Sequence, residues 1–393
     1  MTETAPNPRL GRYTETSVAG ETVRAFVPPP LPPEPPIDVL GLLDRLSLAE
    51  RALGRLDGIS MLLPRQDLFL YMYVRKEAVL SSQIEGTQST LSDLLRFEIE
   101  AQAGAPFDDI REVSNYVDAM MHGLDRLKDL PLSLRLVREM HERLLQSGRG
   151  GTKSPGEFRR SQNWIGGSRP GNALFVPPPV TELGPCLGAL ESFFHDEASP
   201  LSALIKAGLI HVQFETIHPF LDGNGRIGRL LVTLYLCDRG VLRTPLLYLS
   251  LFLKTHRTEY YRLLQAVRER GDWEAWLDFF LTGVAETANQ AFDAATRIVD
   301  LFKADRDLIT ADSARTGSGL RLHDCFQQMP FLTSGQLVER TGLTAPTVNA
   351  ALADLERLGL VAEITGRQRG RVYSYRRYLD ILSEGTEPLP AAR

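Results

Sequence analysis

His218-Pro219-Phe220-Leu221-Asp222-Gly223-Asn224-Gly225-Arg226-Ile227-Gly228-Arg229 is the stretch around which the rest of the 393-residue chain is read. It describes a turn that opens a helix. Gly223 and Gly225 permit backbone angles closed to other residues and let the chain approach a ligand closely. A helix starting near Arg226 presents free N–H groups and a positive dipole end to that turn, which makes an anion site. Arg226 and Arg229 stand three apart, so this spacing sends both guanidiniums to one side of the first turn, where they suit a polyphosphate. Asp222 is a poor anion ligand there but a good Mg2+ ligand bridging phosphates. His218 is a candidate base near neutral pH. A glycine-rich turn alone is unspecific; the signal is the convergence of His, Asp, Asn and two Arg on one loop. It is not a Walker loop, because GxxxxGK[ST] is absent.

Outward from this loop the pattern is mainly α. Apolar residues recur at helical spacing from Leu40 to Leu48, Leu68–Leu80, Leu91–Ala101, Asn115–Leu127 and Leu132–Leu145. Between Gly148 and Pro179 glycine and proline become dense, and Ala173–Val176 is a short β-prone piece, which predicts a loop with a small hairpin. Helical patterning returns at Leu183–Phe194, Leu201–Phe214, Ile227–Cys237, Glu259–Val267 and Trp273 to about Leu308. Residues Pro28 to Pro36 hold seven prolines in nine positions, so residues 1–36 are expected to form an extended or disordered arm, a spacer or a docking site for a proline-binding partner.

Composition bounds the class. With 43% hydrophobic and 24% charged residues the chain can bury a core, and its length suggests more than one domain. A net charge of −5 excludes a polycation that coats nucleic acid or anionic lipid. Cys186, Cys237 and Cys325 are too few and too scattered for a disulfide framework or a thiolate zinc site. No run of about 18 apolar residues and no apolar leader are evident, so the expectation is a cytoplasmic protein with no membrane association.

The loop segment resembles the signature of the Fic family, HPFxDGNGRxGR, at all ten of its fixed positions. The likeness extends through Pro155-Gly156-Glu157-Phe158-Arg159 and Gln162-Asn163-Trp164-Ile165-Gly166 to Pro177-Pro178-Pro179, then Tyr248-Leu249-Ser250 and Glu259–Leu264, covering roughly residues 37 to 285. The resemblance implies a Fic helical core with a small β-hairpin flap, and transfer of AMP from ATP to a Ser, Thr or Tyr hydroxyl of a protein, self-modification included. It implies His218 as the base and Asp222 as the Mg2+ holder. Asn224 and the loop N–H groups, Gly223, Gly225, Ile227 and Gly228 among them, would line the ATP site and steady the α-phosphate, with Arg226 and Arg229 on the β- and γ-phosphates. Ser168, Asn172 and Phe175 fall in the flap that pairs with an extended target. Residues around Tyr248 to Thr255 are placed beside the adenine, and a homodimer is suggested by relatives.

Ser81-Ser82-Gln83-Ile84-Glu85-Gly86 sets Ser81 and Glu85 one helical turn apart on a shared face, with Gly86 suited to the helix end. Beside a Fic core this resembles the inhibitory motif [ST]xxxE[GN], which implies that Glu85 pairs with Arg229 and takes the guanidinium needed by the γ-phosphate. Removal of AMP, with Glu85 orienting a water, is a further family activity.

The last part has its own logic. Thr333 and Ser334 cap a short helix, Gly342 turns, a helix runs from Ala345 to Leu358, and two strand-like pieces, Leu360–Thr365 and Arg371–Tyr375, flank a glycine turn. This is the order of a winged helix-turn-helix. Residues 321–377 carry eight Lys/Arg against five Asp/Glu, with Arg367, Arg369 and Arg371 on the wing and Thr344, Thr347 and Asn349 at the second helix start, a pattern for DNA or for protein docking. The expected division is therefore an arm (1–36), an N-terminal helical region (37–110), the catalytic core (111–285), a helical linker (286–318), the winged domain (319–382) and a tail (383–393). Two other readings compete with AMP transfer: a nucleotide-sensing transcriptional regulator, and an enzyme that uses another nucleotidyl or phosphoryl donor.

Overall fold

A computed structural model describes residues 9–18, 20–62, 66–100, 108–148, 150–312 and 316–389. The chain is mainly helical, with small antiparallel sheets.

The N-terminal arm carries a hairpin. Strands β1 (Arg12–Val18) and β2 (Glu21–Val27) pair antiparallel, in the register Arg12↔Val27 to Val18↔Glu21. The alternation of Val23, Ala25 and Val27 is the strand signal that the nearby prolines overshadow. Val18, Val23 and Ala25 bury themselves against Val176, and the Phe26 N–H donates to the Val176 carbonyl at 2.9 Å. The proline segment that follows carries no helix or strand and lies on the body, where the Pro29 carbonyl accepts from Gln213 at 2.7 Å.

The N-terminal helical region comprises α1 (Leu43–Leu62), α2 (Gln66–Ile84) and α3 (Leu91–Glu100). Then come α4 (Asp108–Arg126), α5 (Leu134–Leu144) and, after the glycine-rich loop, α6 (Val180–Phe194). At the centre stand α7 (Ala203–Ile217) and α8 (Asn224–Asp238). Every residue from Leu204 to Ile217 is buried, as expected of a helix surrounded on all sides. Short α9 (Ser250–Thr255) and α10 (Arg257–Arg270) lead into the 40-residue α11 (Trp273–Asp312), which packs against α1, α7 and the winged unit. Nothing between Val284 and Asp312 breaks a helix, neither Gly nor Pro, so α11 runs through the 285/286 division without interruption.

The winged unit holds the expected helix, turn, helix and hairpin as α13 (Ser334–Thr341), α14 (Ala345–Arg357), β4 (Ala362–Glu363) and β5 (Val372–Ser374), and adds α12 (Thr316–Gln328), β3 (Phe331–Thr333) and α15 (Arg376–Ser383). Its sheet order is β3-β5-β4. Thr333 and Gln336 close a capping box, and Gly342 (φ 66°) ends α13 in the left-handed conformation. The unit docks on α11, where buried Asp305 accepts from the Tyr375 hydroxyl at 2.5 Å and from Arg377 at 2.7 Å. The three cysteines are free. No helix among the described residues is long and apolar enough to cross a membrane.

Candidate active site

The loop joining α7 to α8 is built by its own residues. His218 ends α7 at φ 50°, and its N–H still reaches the Phe214 carbonyl at 2.9 Å. The Asn224 amide folds back on Phe220, accepting from its N–H at 2.8 Å and donating to its carbonyl at 2.9 Å. Gly223 (φ 77°) caps α8, and its N–H donates to Asp222 Oδ1 at 2.6 Å. The helix thus starts at Asn224, two residues earlier than read, with the N–H groups of its first turn open.

A buried histidine that the sequence reading passed over holds this loop. The His141 ring stacks on Phe220 at 3.6 Å and 6°. Its Nδ1 accepts from the Gly156 N–H at 2.9 Å, so Nε2 bears the proton and donates to the Asp222 carbonyl at 3.0 Å. Burial lowers this imidazole to about 4, which keeps that tautomer neutral. Phe220 is fully buried, packed under the loop.

The two arginines diverge. Arg229 donates from Nε to Ser81 Oγ at 2.8 Å, and from its NH2 nitrogen to the Ser81 carbonyl at 3.0 Å and to Glu85 Oε1 at 2.7 Å. Burial pushes the Glu85 carboxyl up, but the charge and hydrogen bond of Arg229, helped by Arg226 and Arg257, hold it below the usual range. Ser81 and Glu85 therefore meet Arg229 at the end of α2, just before Gly86 turns the chain at φ 104°. Arg226 instead turns toward α4, 3.3 Å from Glu112, with Asp222 at 3.7 Å. A buried acid on α4 engages Arg226, since a buried guanidinium needs a partner. The Asn224 amide, bonded twice to Phe220, shapes the loop.

A cavity of about 650 Å³ opens over this loop. His218, Gly225, Arg229, Glu85 and Glu215 form its floor, and Ile165, Gly166, Leu174 and Phe175 of the flap border it. The far wall is one face of α10, with Arg257, Tyr260, Tyr261, Leu264 and Arg268 at helical spacing. That periodic face was the available signal for the wall, which the sequence reading placed at Tyr248 to Thr255. Tyr248 is buried against Tyr73 and Lys76 and does not line the cavity. Burial, then the charge of Arg268, lowers the His218 imidazole to about 3, so it rests as a neutral base. Burial raises Glu215 to about 7 against the pull of Arg229, and among the described residues its Oε1 meets no hydrogen-bond partner.

The flap is a tight reversal with one bridge, Ile165↔Phe175. Asn172 Oδ1 accepts from the N–H groups of Ser168 (3.0 Å) and Arg169 (2.9 Å), and its amide donates to Ser168 Oγ at 3.2 Å. Ser168 and Asn172 thus tie the turn together. Gly167 is obligatory there: φ is +71°, and a Cβ would stand 2.4 Å from the Asn172 carbonyl oxygen. Phe175 is buried beneath the Arg268 guanidinium at 4.0 Å, while Leu174 beside it is 78% exposed.

Asp222 has a carboxylate side chain 35% exposed, at the mouth of α8. Among the described residues no group of three or more His, Cys, Asp or Glu could hold a metal by itself. One carboxylate fits Mg2+ when phosphate oxygens and water complete the shell.

Residues 43–125 match the description "Fic/DOC family N-terminal", residues 131–236 "Fic/DOC family", and residues 327–371 "MarR family". Among named relatives, the chain is 31% identical over 201 residues to the protein adenylyltransferase Fic of Drosophila grimshawi, covering 50% of this chain and 38% of that one. It is 30% identical over 243 residues to the protein of the same name from Aedes aegypti, covering 60% and 44%. The chain thus spans less than half the length of these curated relatives. Solved structures share the fold: a Fic family protein from Desulfovibrio desulfuricans G20 aligns at TM-score 0.55 and 21% identity over 85% of this chain and 95% of its own. A Fic domain containing signaling protein from Bacteroides thetaiotaomicron aligns at 0.50 and 19%, over 64% and 97%.

Proposed function

We propose, from the matches to the Fic/DOC family across residues 43–125 and 131–236, that the chain is a protein adenylyltransferase restrained by its own Glu85. One observation carries the reading: neutral His218, the open N-terminus of α8 and Arg229 all face the same 650 Å³ cavity. The triphosphate of ATP lies against the first turn of α8, whose N–H groups and dipole favour it. His218 takes the proton of a Ser, Thr or Tyr hydroxyl as that oxygen attacks the α-phosphorus. The bond from the α-phosphorus to the bridging oxygen breaks, and pyrophosphate leaves. Little covalent help is needed, because positioning and charge neutralisation supply most of the rate. Mg2+ held by Asp222 would neutralise the phosphate oxygens. Arg229 receives the γ-phosphate only when Glu85 withdraws, and Arg226 acts from behind by holding the loop to α4. The flap, with exposed Leu174 beside its bridge, offers backbone to an extended target.

Intact mass after incubation with ATP and Mg2+ tests this. Glu85→Gly should gain one AMP mass, and the same variant carrying His218→Ala should not. A gain from UTP and none from ATP would favour the other-donor reading, and loss of a preformed AMP would favour removal.

The segment similar to MarR proteins supports a second, DNA-binding role for residues 327–371. Arg367, Arg369 and Arg371 are exposed on its wing, where duplex phosphates are within reach.

A further inference from the structure

The end of α2 is held from two sides. Ser81 and Glu85 face Arg229, while Gln83, two residues and so about 200° around the helix from each, points the opposite way. Gln83 is buried at 1% exposure, and its Nε2 donates to the Ser89 carbonyl at 2.9 Å and to the Thr386 carbonyl at 2.8 Å. Thr386 belongs to the segment that leaves α15, the last helix of the winged unit, and it is 2% exposed.

That segment is anchored on its own account. Lys254 of α9, buried at 6% exposure, donates to the carbonyls of Gly385 at 3.0 Å and Glu387 at 2.5 Å. Glu384 pairs with Arg297 of α11 through two hydrogen bonds of 2.9 and 2.7 Å. Gly385 sits at φ +80°, with a Cβ position only 2.7 Å from Leu251, so the close passage needs glycine. A buried amide and a buried ammonium aimed at main-chain carbonyls are specific contacts, since either would be costly if left bare.

We propose that residues Glu384–Glu387 are a latch that clamps the Glu85-bearing end of α2, so that the position of the winged unit on α11 sets how readily Glu85 leaves Arg229. The AMP-transfer part of this rests on the function proposed above. With the latch in place, the last turn of α2 is wedged between α8 and the tail. Withdrawing the tail leaves Gln83 without its second acceptor and frees that turn to fray. Any ligand that binds the winged unit better with the tail displaced is then linked to nucleotide use, and the coupling is reciprocal.

The test uses the full chain, a form ending at Ser383, and Lys254→Met, which removes an anchor without altering α2, α8 or the winged unit. Native-state hydrogen exchange of the Ser82–Glu85 amides should quicken roughly tenfold or more in both variants. Self-modification by ATP should rise toward the Glu85→Gly level in both. Unchanged exchange in a folded Lys254→Met protein and in the shortened form overturns the latch. Parent-level modification in both, alongside an active Glu85→Gly, overturns its control of catalysis. If Glu85→Gly itself transfers no AMP, the functional reading has failed, and the exchange rates alone decide the latch.

Discussion

Arg229 and Glu85 lie 144 positions apart in the chain and meet at 2.7 Å, with Ser81 completing the guanidinium's partners. The guanidinium is buried to 2% side-chain exposure, while the Glu85 side chain keeps 37% open to the cavity. The acid is therefore the movable partner. A hydrogen bond to a charged group is worth about 1.5–3 kcal/mol, so Glu85→Gly should raise self-modification by roughly 10- to 100-fold, and Ser81→Ala by less. Initial rates with labelled ATP measure both. Equal rates for parent and Glu85→Gly would remove the restraint from the account.

Arg226 and Glu112, each with 3% side-chain exposure, form the contact that ties the loop to α4. Glu112→Ala leaves a buried guanidinium uncompensated, a loss of about 3–5 kcal/mol. Denaturant unfolding should register this as a lowered midpoint at unchanged slope. A midpoint matching the parent would mean that Asp222 alone satisfies Arg226.

Acid sensitivity has a defined origin. His141, His211 and His218 are pushed by burial to about 4, about 4 and about 3. The unfolded chain protonates each near the ordinary value of about 6.5 while the folded chain does not, so stability is lost as pH falls below about 6.5. Glu77 and Glu215, raised by burial to about 7, act in the opposite sense. Their contribution is full below the ordinary carboxyl value of about 4.3 and fades as pH rises through 7. Glu77→Gln removes one opposing group, so its melting temperature should climb more steeply between about pH 5 and 6.5 than that of the parent. Parallel curves would show that Glu77 does not titrate in this window.

The wing arginines make a separable prediction. Replacing Arg367, Arg369 and Arg371 by Ala should weaken duplex binding and lower the slope of log affinity against log salt by about 1 for each phosphate that is no longer neutralised. Fluorescence anisotropy across a salt series reads both. An unaltered slope would place the duplex elsewhere or point to protein docking.

How much was legible follows from the range of each signal. The loop, the caps at Thr333 and Gly342, and the fully apolar α7 could be read directly, because glycine angles, capping side chains and helical period act within a few residues. The pairing of Glu85 with Arg229 was reached through family likeness, since nothing local joins positions so far apart. The pairing within residues 12–27 was not legible, because two short strands beside a proline run look like an extended arm until Val176 covers them.

Chain order alone settled that a helix begins at a glycine turn behind His218, and that a winged unit follows a long helical body. Folding settled the partners: Glu112 for Arg226, His141 beneath Phe220, the α10 face across the cavity, and Thr386 against Gln83. Those choices belong to groups removed from water together, and which buried charge or amide finds which acceptor depends on the packing of distant elements rather than on neighbours in sequence.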